Sequence, residues 1–186
     1  MKKVPRLTLE DAKLMMAAAE KKALEIGVDM DIAIVDDGGN LILFQRMDNA
    51  RVTSITIATD KAFTAGAARK STRDYGNVSG PGQPAFGINS AIQGRFMIFA
   101  GGLPIFVDGH PVGGIGCSSG SPDQDEQVAR TGVNALMEHL RALPRGDLPG
   151  VGRRGRSGLV GPEAGRSRCP PPLPLMDAAR GACLPA

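Results

Sequence analysis

Tryptophan is absent from this chain, tyrosine occurs once, and aromatic residues make up 4% of its 186 residues. A core built from it must therefore rest mainly on Ile, Val, Leu, Met and Ala. Histidine is equally scarce, at positions 110 and 139 only, and there is no C-x-x-C, no H-E-x-x-H and no E-x-x-E on a helix. The recurrent zinc and paired-glutamate signatures are thus missing, and no metal site is expected. Of three cysteines, Cys169 and Cys183 lie near the C-terminus, leaving Cys117 alone in the body. A lone cysteine cannot staple its own domain, which fits a reducing compartment and a cytoplasmic location. The longest apolar run, Phe96 to Val107, is broken by Gly101, Gly102 and Pro104 and is too short to span a bilayer. The N-terminal MKKVPRLTLED has no apolar stretch, so a secretory signal is not expected either.

Charge of one sign is also lacking where it would matter. The formal net charge is +3, but residues 144–186 carry seven arginines against three acids, which leaves residues 1–143 close to neutral. Neither nucleic acid nor an anionic membrane is an expected partner of that part. The same boundary marks a change of character. Residues 144–186 hold eight of the fourteen prolines and no Lys, Ile, Phe, Tyr, Thr, Asn, Gln or His. No helical or strand period is visible there, so a disordered tail is expected, either a flexible extension or the product of a shifted or read-through frame.

What is present reads as one domain over residues 1–143. Thr8 caps a first helix whose Leu9, Ala12, Met16, Ala19, Ala23 and Ile26 form one apolar stripe, with Gly27 as its stop. Asp31–Val35 and Leu41–Met47 read as strands around a turn-rich Asp36–Asn40. Residues 53–69 form an alanine-rich helix whose narrow face of Ile55, Ala58, Ala62 and Ala65 lets another backbone approach closely. Residues 71–94 read as a glycine- and proline-punctuated loop, with some period over Ile88–Ile92. Three more strands are expected at Arg95–Ala100, Pro104–Val107 and Pro111–Cys117, then a helix capped by Ser121 with Pro122 and Gln124 behind it. Helices grouped with hairpin-linked strands give an α+β domain with a mainly antiparallel, five-stranded sheet.

The stretch Gly116-Cys-Ser-Ser-Gly120 spells G-x-S-x-G, the turn that exposes a serine nucleophile between a strand and a helix. A triad needs a base and its orienter in contact, yet Asp125 and His139 lie fourteen residues apart on one helix, about 21 Å. His110 lies at the far end of the strand leading to Ser118, so serine hydrolysis is not expected. A phosphate cradle fails too, because Asp123, Asp125 and Glu126 occupy the helix start where the anion would sit. The remaining reading is an architectural turn.

Ala33-Ile-Val-Asp-Asp-Gly-Gly39, Arg46-Met-Asp48, Ser54–Ala58, Lys61-Ala-Phe-Thr-Ala65 and Thr72 recur in a known order with Gly101-Gly-Leu-Pro104, Gly113–Ser118 and Gln124-Asp-Glu126. In that order and spacing, residues 1–143 resemble the GlcG/HbpS-like domain family, which includes haem-binding HbpS and the C-terminal domain of PduO-type cobalamin adenosyltransferases. The resemblance implies a profilin-like or PAS-like fold, assembly into homo-oligomers, and a small-molecule ligand, haem or a corrinoid. It implies a groove between the small-residue helix and the loop 71–87. Lys61, Thr64, Ala65, Arg69, Thr72, Gly82, Gly101, Gly102, Gly116 and Ser118 are its candidate binding residues, with Lys61 or Arg69 pairing a propionate. No histidine precedes residue 110, so Met15, Met16 or Tyr75 would have to supply an axial ligand. The alternatives are an enzyme acting on a small hydroxy acid through Lys61, Thr64, Thr72 and Ser118, or a scaffold without catalysis. No residue is assigned a catalytic role.

Overall fold

The computed structural model describes residues 4–143, and the expectations for residues 144–186 fall outside them. Four helices and four strands follow in the order α1 (Leu9–Glu25), β1 (Asp31–Asp36), β2 (Leu41–Arg46), α2 (Ser54–Ala68), α3 (Thr72–Ser79), β3 (Gly102–Val107), β4 (His110–Ser118) and α4 (Pro122–Ala142). The strands form one antiparallel sheet in the order β2-β1-β4-β3. Among the described residues, none of the helices is long and apolar enough to cross a membrane.

Strand alternation divides the core in two. Ile32 and Ile34 of β1, Ile115 and Cys117 of β4, and Leu103 and Ile105 of β3 point to one face. There they meet Met15, Met16 and Ala19 of α1 and Val128, Ala129 and Leu136 of α4. Ala33 and Val35 point to the other face and pack on Ala58 and Ala62 of α2. Both long helices begin as the sequence predicts: Thr8 and Asp11, and Ser121 and Gln124, make complete reciprocal capping boxes.

The sheet has four strands, not five. The expected strand Arg95–Ala100 is irregular chain, because the partner it finds is a side chain. Thr64 Oγ1 donates to the Arg95 carbonyl at 3.1 Å and accepts from the Met97 amide at 3.0 Å. Left-handed Gly94 (φ +81°) and Gly101 (φ +120°) bend the chain at either end. The loop expected over 71–94 contains α3 and two short 3-10 turns, Ile88–Ser90 and Ile92–Gly94. Ser71 caps α3 by accepting from the Asp74 amide, a signal too brief for a periodicity reading to register.

Candidate functional site

The resemblance implies a groove between α2 and the loop 71–87; the small-residue face of α2 itself packs on the sheet. Ala58, Ala62 and Ala65 are fully buried. A methyl group built on Gly116 would lie 2.1 Å from the Ala58 carbonyl oxygen; on Gly114, 2.5 Å from that of Ala62. On Gly102 it would lie 2.5 Å from the Lys61 carbonyl oxygen. The sheet glycines thus let α2 rest directly on the β3 and β4 backbone. The close backbone approach inferred from the alanines is real, with the sheet as the approaching partner.

Five of the predicted site residues, Lys61, Thr72, Gly101, Gly102 and Gly116, meet in one buried joint. Lys61 Nζ is 2.7 Å from Asp125 Oδ2 and donates to the Cys117 carbonyl at 3.0 Å. The Phe99 ring covers the ammonium at 4.6 Å from its centroid. Asp125 Oδ1 accepts from the Gly120 amide, which fixes the turn between β4 and α4. Burial pushes the Lys61 ammonium down from its ordinary pKa and the Asp125 carboxyl up, and their mutual attraction offsets part of both shifts. Thr72 Oγ1 accepts from the Gly102 amide at 2.9 Å, tying α3 to the first residue of β3. Lys61 is 0% exposed, so its charge is spent on Asp125 rather than offered to a propionate at the surface.

The other predicted residues fall around this joint. Thr64 straps residues 95–97, and Ala65 is fully buried. Arg69 is exposed, in the left-handed conformation that ends α2. Gly82 lies in the exposed connection after α3. Ser118 is buried at the end of β4, about 26 Å along the strand from His110. Burial pushes the neighbouring Cys117 thiol well above its ordinary value. Met15 and Met16 are core residues. Tyr75 is half-buried and meets Phe96 edge-on at 4.8 Å between ring centroids.

Asp125 and Phe99 are the functional neighbours that the sequence reading missed. Asp125 carried an acidic-helix-start signal that helix-dipole complementarity explained equally well, and its partner lies sixty-four positions away. Apolar side chains do reach the surface, along the segment that follows α3: Phe86 is 67% exposed, Ile92 53% and Phe99 41%.

Comparison with known proteins puts this geometry in a family. The family model described as haem-degrading protein HbpS-like matches residues 7–134. An uncharacterized 15.0 kDa protein from the dhaT–dhaS intergenic region of Citrobacter freundii is 41% identical over 135 residues, covering 73% of this chain and 95% of that protein. The corrinoid adenosyltransferase PduO of Salmonella typhimurium is 34% identical over 130 residues, 70% of this chain but 39% of the enzyme. A crystal structure described as a PduOC:heme complex superposes with a TM-score of 0.69 at 34% identity, covering 70% of this chain and 95% of that one.

Proposed function

This chain belongs to the HbpS-like family, and from that premise we propose that it is an accessory domain binding haem or a related tetrapyrrole, a corrinoid included. The observation that carries the reading is the likeness to the PduOC:heme complex over nearly the whole of that chain. The enzyme alternative is weaker, because Lys61, Thr64 and Thr72 are fully buried and Ser118 is 4% exposed. With α2 closed against the sheet, the macrocycle is assigned to the exposed apolar segment of Phe86, Ile92 and Phe99. Apolar burial, at roughly 25 cal/mol per Å² before association costs, then supplies most of the affinity. Arg69 remains the exposed candidate for a propionate, and Gly82 lies in the connection leading to Phe86. Such a pair adds about 1 kcal/mol or less. Of the candidate axial ligands Met15, Met16 and Tyr75, the two methionines are core residues, which leaves Tyr75, so ligation is expected to be weak.

The same reading takes the fold as profilin-like or PAS-like, the protein as a homo-oligomer and its location as cytoplasmic, the last resting on the free, buried Cys117. Hemin titrated into the full chain should give a saturable Soret shift at about one haem per chain. Phe86→Ala or Phe99→Ala should weaken it about tenfold, as loss of roughly 1.4 kcal/mol would do. A shift no larger than that given by an unrelated acidic protein refutes the reading.

A further inference from the structure

One side chain ties down the main chain that leads into β3. Residues 96–100 make no backbone–backbone hydrogen bond among the described residues. The Thr64 hydroxyl instead donates to the Arg95 carbonyl and accepts from the Met97 amide. Both ends of the stretch bend sharply. Ile92, Gln93 and Gly94 are consecutive left-handed residues at φ +51°, +58° and +81°, and Gly101 stands at +120°. That region is unfavourable for a β-branched residue, so strain is stored at Ile92, just ahead of the first bend. Beyond the second bend the chain is fixed again, the Gly101 carbonyl accepting from the Cys117 amide and the Gly102 amide donating to Thr72. Further side-chain contacts are the edge-on meeting of Phe96 with Tyr75 and an ion pair from Arg95 to Asp60 at 2.8 Å. Arg95 is partly exposed, and such a pair adds little.

Beneath this stretch lies the Lys61–Asp125 pair. The Lys61 ammonium meets Asp125, the Cys117 carbonyl, Gly101 and the Phe99 ring. Asp125, Cys117 and Gly101 are themselves buried, whereas Phe99 is 41% exposed. Of these groups, the ring is the one that separates the ammonium from water. A stretch with few main-chain hydrogen bonds opens at a lower free energy than the fold as a whole. Both of its bonds go to one hydroxyl, so losing that contact frees the stretch together. We propose that residues 95–100 are a strap, hinged at Gly94 and Gly101 and latched by Thr64, that opens as a unit while the sheet and its helices stay closed. Opening lifts Phe99 off Lys61 and gives small solutes a path to an ammonium that the closed fold denies them.

The test uses two buried reactive groups as reporters. Lys61 lies under the strap, while the Cys117 side chain lies in the core against α1 and α4, on the other face of the sheet from α2, and reports opening of the whole fold. In the full chain, Lys61 is labelled with formaldehyde and dimethylamine-borane, and Cys117 with N-ethylmaleimide. Each rate is read by peptide mass spectrometry and divided by its value in the chain unfolded in guanidinium chloride. On that scale Lys61 should label at least about tenfold faster than Cys117. Below the unfolding transition, added denaturant should speed Cys117 steeply and Lys61 hardly at all, because strap opening exposes little new surface. Thr64→Val, which keeps the shape and deletes the hydroxyl, should speed Lys61 roughly tenfold, and Thr64→Ser should stay near the parent rate. The proposal is overturned if Lys61 labels no faster than Cys117, if its rate climbs with denaturant as steeply, or if folded Thr64→Val labels as the parent does. The first two readouts need no variant. No ligand enters the test, so its outcome is independent of the hemin titration.

Discussion

Lys61 shows what a single position owes to a partner that sequence spacing does not reveal. It reads as a surface cation on an alanine-rich helix, and it is a fully buried ammonium held by Asp125 and the Cys117 carbonyl. Removing one member leaves the other charged and unpaired, so Lys61→Ala or Asp125→Ala should each cost about 3–5 kcal/mol in chemical denaturation. Replacing both at once with Met and Leu should cost far less than the two single losses combined, because no charge is then stranded. Additive losses would show that the pair is not coupled as the 2.7 Å contact implies. Glu126, one residue on, titrates differently. Burial raises it, but hydrogen bonds from Arg73 and Arg130 outweigh that and hold it below its ordinary 4.5. A folded pKa below the unfolded one gives stability that is complete above the ordinary value and lost as pH falls through the folded value. Asp36, which burial raises but hydrogen bonds from Asn40 and the Gly38 amide hold below its ordinary value, adds to the same acid limb. The unfolding midpoint should therefore drop as pH is lowered from 4.5, and Glu126→Gln should flatten that drop.

The elements were legible where one face had a period and illegible where contacts came from afar. The capping boxes of α1 and α4, the β1–β2 hairpin and the small face of α2 all carry their signal within a few residues. The β3 and β4 strands were placed to within two residues at each end, Pro104 being tolerated on the edge strand β3. Arg95–Ala100 has the composition of a strand, but the position beside it is taken by the Thr64 hydroxyl and by α3, whose Gly76 would put a methyl group 2.2 Å from the Ile98 carbonyl oxygen. The candidate site was half legible. Lys61, Thr72 and the glycines do gather, but as a joint between α2, α3 and the sheet rather than as a groove. That joint makes a sharp prediction for α2. Gly116→Ala must push a methyl group into the helix backbone, which no rotamer change relieves, and should cost about 3 kcal/mol or more. Gly82→Ala meets nothing within 4 Å and has only its left-handed φ of +78° to strain it, about 1 kcal/mol. Equal losses at the two positions, measured by urea denaturation, would refute the direct seating of α2 on β4.

At the scale of the whole molecule, the question is how much of the chain the domain needs. The core is closed by α1 and α4 on one face of the sheet and α2 on the other, with Leu136 buried in the last described helix. The family model ends at residue 134, inside α4, and the Citrobacter freundii relative is covered over 95% of its own length by 135 aligned residues. The part of this chain that the family model matches therefore stops short of residues 144–186. Those residues also differ in kind, with eight prolines and no Ile, Phe or Tyr, so they offer little to bury. A chain ending at Leu143 should accordingly keep its thermal midpoint, its oligomeric state and its hemin titration. For a domain of this size, 1 kcal/mol of lost packing would lower the midpoint by roughly 2–6 °C, which is readily measured. A fall of that size would assign the C-terminal residues a packing role in the fold. A retained midpoint with a changed oligomeric state would instead place them at a contact between copies. An unchanged protein on all three readouts leaves residues 1–143 as the unit that folds, assembles and binds.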